Sequence, residues 1–189
     1  MPRRQIVFET GRYYHIYNRG HNRQAIFFNR DNYIHFLRLI NKYLIETNSA
    51  DIIAYCLMPN HYHLLVYLRA DHFSKSMQRL SVSYVKAFNK SYQRVGTLFQ
   101  RRFQAILVDR DEYLFQLTRY IHLNPVKAKL VDKAEDWEFS SYREYVDLRP
   151  GSLPKCEEVR SHFNSANNYR RFVERSIQTA SIQHLMFDE

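Results

Sequence analysis

The feature that most constrains this chain is the stretch Asp51–Leu68, two apolar runs parted by Pro59-Asn60. Two such runs joined by a proline-asparagine turn predict a β-hairpin. The first limb, Asp51–Met58, is strongly apolar. The second, His61–Leu68, alternates: Tyr62, Leu64, Val66 and Leu68 fall on one face of a strand, and His61 and His63 on the other. The apolar set is expected to pack on helices, which would leave the two imidazoles side by side on an open sheet face.

The pattern on either side of the hairpin extends it to a fold. Tyr13–Arg19 reads as a short aromatic strand ended by Gly20. Asp31 is placed to cap a helix running to about Thr47, with Tyr33, Phe36, Leu37, Ile40 and Leu44 at helical spacing. Ser74–Tyr92 predicts a second amphipathic helix carrying Met77, Leu80, Tyr84 and Phe88, and Phe103–Val108 a fourth strand. Asp111 opens a third helix, which is expected to end or kink at Asn124 because Pro125 disfavours helical geometry there. The order up to the fourth strand is the β-α-β-β-α-β of an α+β, ferredoxin-like (RRM-like) domain: an antiparallel sheet with helices on one face. Residues 1–147 are expected to form that domain, with Trp137–Tyr145 as a short docked element. Leu148–Lys155, with two prolines and a glycine, reads as a linker. Residues 148–189 then make a helical C-terminal extension, with helices at Cys156–Phe163 and Ser165–Gln178, the second capped by Ser165.

Charge narrows the partner. The 189 residues carry 28 Lys and Arg against 19 Asp and Glu, a formal charge of +9, which favours a polyanion. Arg94, Arg101 and Arg102 cluster, and Lys86 and Lys90 alternate with Tyr84, Phe88 and Tyr92. Basic groups neutralise phosphates while aromatic faces stack unpaired bases, so single-stranded nucleic acid is favoured over a membrane surface. No apolar run is long enough to span a bilayer, and the first residues lack the apolar stretch of a signal peptide. Cys56 and Cys156 lie too far apart in sequence to suggest a zinc site, which fits a reducing cytoplasm.

Two constellations could carry chemistry. His61 and His63 could hold one metal ion or one phosphate; they could equally be polar filler on a solvated strand. The His-Glu-x-x-His helix of a zincin is absent, and Leu65 stands where a histidine-triad hydrolase would place a third histidine. Cys56 reads as a core residue rather than a nucleophile. Asp109 and Asp111 are explained by a solvated turn and a helix N-terminus. On the third helix, Tyr120 and Asn124 share a face beside the apolar stripe Leu114, Leu117 and Ile121. Spacing alone does not separate Tyr120 from Tyr84 or Tyr113.

The stretches YYHIYNRG (13–20), YCLMPNHYHLLV (55–66), GTLFQRRF (96–103), RYIHLNPVKAKLV (119–131) and SSYREY (140–145) resemble the REP-associated tyrosine transposases, relatives of the IS200/IS605 transposases in the HUH nuclease superfamily. The resemblance runs in order from about Tyr13 to Tyr145. It implies a single-stranded DNA transposase that cleaves and rejoins DNA near hairpin (REP-like) sequences. It places the histidines of the HUH motif at His61 and His63, a single nucleophile at Tyr120, and a polar third metal ligand at Asn124, where some relatives carry Gln.

The chemistry such a site needs is consistent with these residues. A phosphodiester is anionic and repels nucleophiles, so a divalent ion must neutralise it. Two imidazoles and an amide oxygen suit Mg²⁺ or Mn²⁺. Attack by Tyr120 would leave a 5′-phosphotyrosine and a free 3′-hydroxyl, from which a second DNA end can rejoin. A monomer and a homodimer both satisfy this reading. The alternatives are a non-catalytic RRM-like module that binds single-stranded nucleic acid and a phosphodiesterase that uses water.

Overall fold

Strands β2 (Ala50–Met58) and β3 (His61–Leu68) pair antiparallel as the hairpin, with Met58 opposite His61. They belong to a computed structural model that describes residues 7–175 together with 183 and 186. Before the hairpin come β1 (Tyr13–Arg19) and α1 (Arg30–Ile40); after it come α2 (Phe73–Ser91), β4 (Gln104–Val108) and α3 (Asp111–Lys127). The sheet order is β2-β3-β1-β4, with every pair antiparallel. Each of α1 and α2 therefore crosses over a strand, and this is the expected α+β, ferredoxin-like arrangement.

One detail of α1 departs from expectation. Its cap is Asn29, whose side chain accepts from the backbone N–H of Asn32, and Asp31 sits in the first turn instead. A carboxylate there still favours the helix N-terminus. Beyond Ile40 the chain continues as a π-helical turn, Asn41–Ile45.

Side-chain parity divides the sheet into two packed faces. Tyr62, Leu64, Val66 and Leu68 of β3 join Tyr14 and Ile16 of β1 against Phe36 and Ile40 of α1 and Met77, Leu80 and Tyr84 of α2. The other face, expected to be open around His61 and His63, is covered by α3. Leu114, Leu117, Tyr120 and Ile121 pack there on Cys56, Met58 and Leu65. The reason is compositional: β2 is apolar on both faces, and its second face would otherwise stand in water.

α3 does not end at Asn124, where it was expected to end or kink. Pro125 lies inside it, and the helix ends at Lys127. So near the C-terminus the missing N–H removes a single backbone bond. Lys129 and Leu130 close the end by donating to the carbonyls of Val126 and Pro125.

The C-terminal segment lies along the free edge of β2. Leu57 N–H donates to the Phe139 carbonyl at 2.9 Å, Ser141 N–H to Tyr55 at 3.0 Å, and Lys155 N–H to Ile52 at 2.7 Å. An edge occupied in this way is unavailable for pairing with another chain. The segment continues through α4 (Tyr142–Tyr145), α5 (Glu157–Arg160), a 3₁₀ turn at Ser161–Phe163, and α6 (Ala166–Glu174). Ser165 caps α6 as expected, accepting from Asn168 N–H at 3.1 Å. The expected continuation of that helix to Gln178 lies outside the described residues. Val159, Tyr169 and Val173 join the cluster beneath α3. Among the described residues no helix is long and apolar enough to cross a membrane.

Candidate active site

The registers of β1 and β3 fix the floor of the site. His63 lies opposite Tyr17 on β1 and Cys56 on β2, and His61 opposite Arg19 and Met58. The two imidazoles have centroids 4.9 Å apart and are nearly perpendicular. α3 crosses above them and sets the Tyr120 ring edge-on to His63, with centroids 5.6 Å apart. One turn later the Asn124 carboxamide donates through Nδ2 to the Tyr120 carbonyl at 3.0 Å. That bond leaves Oδ1 as a buried acceptor beside His61. The structure thus brings together four of the residues singled out in the sequence, and it closes over them. His61 is 5% exposed, His63 0%, Tyr120 4% and Asn124 1%.

Burial sets the electrostatics. It pushes the His61 imidazolium down to about 4, helped by the nearby Arg19 charge and opposed by the Asn124 carboxamide. His63 lies well below its ordinary value, through burial and then through His61 and His15. Both rings are neutral at pH 7 and offer lone pairs rather than charges. Among the described residues no three His, Cys, Asp or Glu side chains converge to hold a metal. A cation at this point would therefore rest on His61, His63 and the Asn124 oxygen. Two neutral imidazoles and one buried amide acceptor fit a divalent ion and leave positions for substrate oxygens.

Several groups around the site were not anticipated. His15 Nε2 lies 2.9 Å from His63 Nδ1, and Asn60 Oδ1 lies 2.6 Å from His61 Nδ1. Lys127 Nζ stands over the Tyr120 ring, 4.8 Å from its centroid. The parity of His15 and Tyr17 on the first strand was the available signal, but only strand order reveals that β1 lies next to β3.

The competing residues lie elsewhere. Tyr84 is on the opposite face of the sheet, where its hydroxyl donates to the Ile26 carbonyl. Tyr113 lies against Arg110. Cys56 is fully buried, with its sulfur against Met58 Sδ at 3.6 Å. Asp109 and Asp111 are exposed at the start of α3.

The basic residues divide into two groups. Residues 98–101 run along the end of β1: His21 N–H donates to Leu98, Gln100 N–H to Arg19, and Asn18 Nδ2 to the Arg101 carbonyl. Arg101 and Arg102 are exposed at that end of the strand. Gly20 lets the following turn fold back closely, since a Cβ there would lie 2.0 Å from the Gln24 carbonyl oxygen. Arg94 folds back onto Gln24 at 2.9 Å and over the Phe88 ring. Lys86 and Lys90 are exposed on α2, behind the sheet and away from the histidines.

The strand order and the tyrosine-bearing helix laid over the histidine strand define a class: ferredoxin-like domains with a further helix packed on the sheet face away from the two crossover helices. The chain belongs to the IS200-like transposases, whose family model matches residues 9–124. It is 31% identical over 125 residues to a Haemophilus influenzae protein described as a REP-associated tyrosine transposase, covering 60% of this chain and 71% of that one. Its fold is similar to that of a REP-associated tyrosine transposase solved bound to a REP hairpin. That likeness has a TM-score of 0.65 at 23% identity, over 82% of this chain and 94% of the other.

Proposed function

We propose that this protein cleaves and rejoins single-stranded DNA beside hairpin sequences, with Tyr120 as nucleophile. The observation that carries the reading is the pairing of Tyr120 with His63 across the sheet–helix interface, with Asn124 one turn along the same helix. Membership of a transposase family supports an enzyme that cuts and transfers DNA, and the hairpin held by the structural relative supports the substrate. DNA places the activity in the cytoplasm, where Cys56 and Cys156 would stay as the free thiols they are here.

His61, His63 and Asn124 would hold Mg²⁺ or Mn²⁺, which supplies charge neutralisation at the scissile phosphate. The Tyr120 oxygen loses its proton and forms a bond to phosphorus. The bond from phosphorus to the 3′-oxygen breaks, and that oxygen leaves as a hydroxyl once it takes up a proton. The product is a 5′-phosphotyrosine, an ester that keeps the energy of the broken linkage. Attack by another 3′-hydroxyl reverses the sequence and joins two strands without ATP. Arg101 and Arg102, both exposed, would hold the flanking backbone through its phosphates.

Trapping with a suicide DNA substrate tests this. Mass spectrometry should find the phosphoryl group on the peptide containing Tyr120, and Tyr120→Phe should lose both adduct and cleavage while still binding hairpin DNA. An adduct on another tyrosine would move the site. Metal-dependent cleavage without an adduct would favour a water-using phosphodiesterase, and binding without cleavage an RRM-like module.

A further inference from the structure

We infer that Asn60 and His15 fix the ring tautomers of His61 and His63, so that both Nε2 lone pairs face the cation position. The inference rests on the reading of the two histidines as ligands and extends it to the residues behind them. Asn60 Nδ2 donates to the Arg23 carbonyl at 3.2 Å, which fixes the orientation of its amide. The atom 2.6 Å from His61 Nδ1 is then the amide oxygen, which can only accept. His61 must carry its hydrogen on Nδ1, and in a neutral ring the lone pair falls to Nε2.

The second pair works through two imidazoles. His15 Nε2 and His63 Nδ1 are 2.9 Å apart and share one hydrogen. The ring planes differ by 21° and the centroids by 5.1 Å, so the rings meet edge to edge along the bond rather than face to face. His15 is fully buried, which leaves water no part in the choice. With the hydrogen on His63, His15 accepts it, and the lone pair falls to His63 Nε2, a buried atom like His61 Nε2. With the hydrogen on His15, His63 would present an N–H to the site and repel a cation. We take the first arrangement because it alone leaves His63 a lone pair for a cation beside His61. A ligand histidine that donates its other N–H to a fixed acceptor is also held in orientation and made more basic. His15 and Asn60 are positioning residues, since neither reaches the cation position.

Long-range ¹⁵N–¹H correlation spectra of the metal-free, DNA-free protein read the tautomers directly, and both histidines should show Nδ1–H. Calorimetric titration with Mn²⁺ gives a second readout. His15→Leu and Asn60→Ala should each weaken binding by about ten- to a hundredfold. His15→Gln, which offers an acceptor oxygen near the place of Nε2, should restore most of it. An Nε2–H tautomer at His63 would overturn the inference even if Mn²⁺ binds. So would unchanged affinity in a folded His15→Leu protein when His61→Ala abolishes binding. Unchanged affinity in His61→Ala itself would instead remove the ligand reading on which the inference rests.

Discussion

Lys127 Nζ lies 4.8 Å from the centre of the Tyr120 ring, two turns farther along the same helix. An ammonium over a phenol ring gains about 0.5–2 kcal/mol from the ring face, and it gains more once the phenol becomes an anion. Lys127→Met keeps the stem and removes the charge. It should slow single-turnover cleavage about tenfold, ~1.4 kcal/mol in the barrier. Lys127→Arg should retain most of the rate. Saturating DNA separates this from phosphate binding, and a Lys127→Met protein at the parental rate would remove Lys127 from the chemistry.

In the proposed site Asn124 would offer the cation an oxygen, so its replacement should be felt in metal affinity before anything else. Asn124→Leu fills a similar volume without a ligand and should weaken Mn²⁺ binding by at least about tenfold, the scale already seen when only an outer partner is lost. Asn124→Asp adds a charge and should tighten it. Titration calorimetry without DNA reports both, and equal affinity in all three proteins would leave the site with two ligands.

The split among the basic residues has a thermodynamic signature. Each phosphate contact contributes about one to the slope of log affinity against log salt. Arg101→Ala with Arg102→Ala should lower that slope by about two for hairpin DNA. Lys86→Ala with Lys90→Ala should leave it nearly unchanged, because those side chains are behind the sheet. A reversal of the two results would put the DNA on the α2 face.

His122 should make the fold acid-sensitive. It is buried on α3 by the edge of β2, with Nδ1 2.7 Å from the Tyr169 hydroxyl, Nε2 2.8 Å from Ser141 Oγ, and Tyr142 and Tyr145 around it. Burial lowers it from 6.5 to about 3. Between those values the unfolded chain binds the proton and the folded chain does not. The stabilisation is therefore complete above pH 6.5 and is lost as pH falls towards about 3. Denaturant titrations should show a steep decline over that window. His122→Gln, which keeps a donor and an acceptor but does not titrate, should make it shallower and leave the part due to His61 and His63.

How much of this was readable in the chain depended on how local the cause was. The hairpin needed only Pro59-Asn60 and the alternation after it, and β1 and β3 have the predicted ends. The α1 cap was displaced because Asn29 and Asp31 are both competent, and the backbone geometry at Asn29 decided between them. The end of α3 was misplaced because a proline near a helix C-terminus costs far less than one in its middle. The burial of His61 and His63 was not readable, since one strand's pattern does not say that another element covers its polar face. His15 was missed for a related reason: its partner lies 48 residues away and meets it only through strand order. Lys86 and Lys90 looked continuous with Arg101 and Arg102 because a sequence shows proximity along the chain, not sides of a sheet.

The near-complete enclosure of Tyr120 changes what selectivity means for such a site. With Tyr120 as nucleophile, a residue only 4% exposed has to be uncovered before a phosphodiester reaches it, which makes the uncovered form the population that matters. Any strand must bind well enough to shift that population, and its apparent affinity falls by the fraction of molecules already open. A short stray strand has little binding energy to spend on opening, whereas a folded hairpin with flanking backbone contacts has much more. On the proposed reading, concealment of Tyr120 would work as a proofreading step that precedes chemistry.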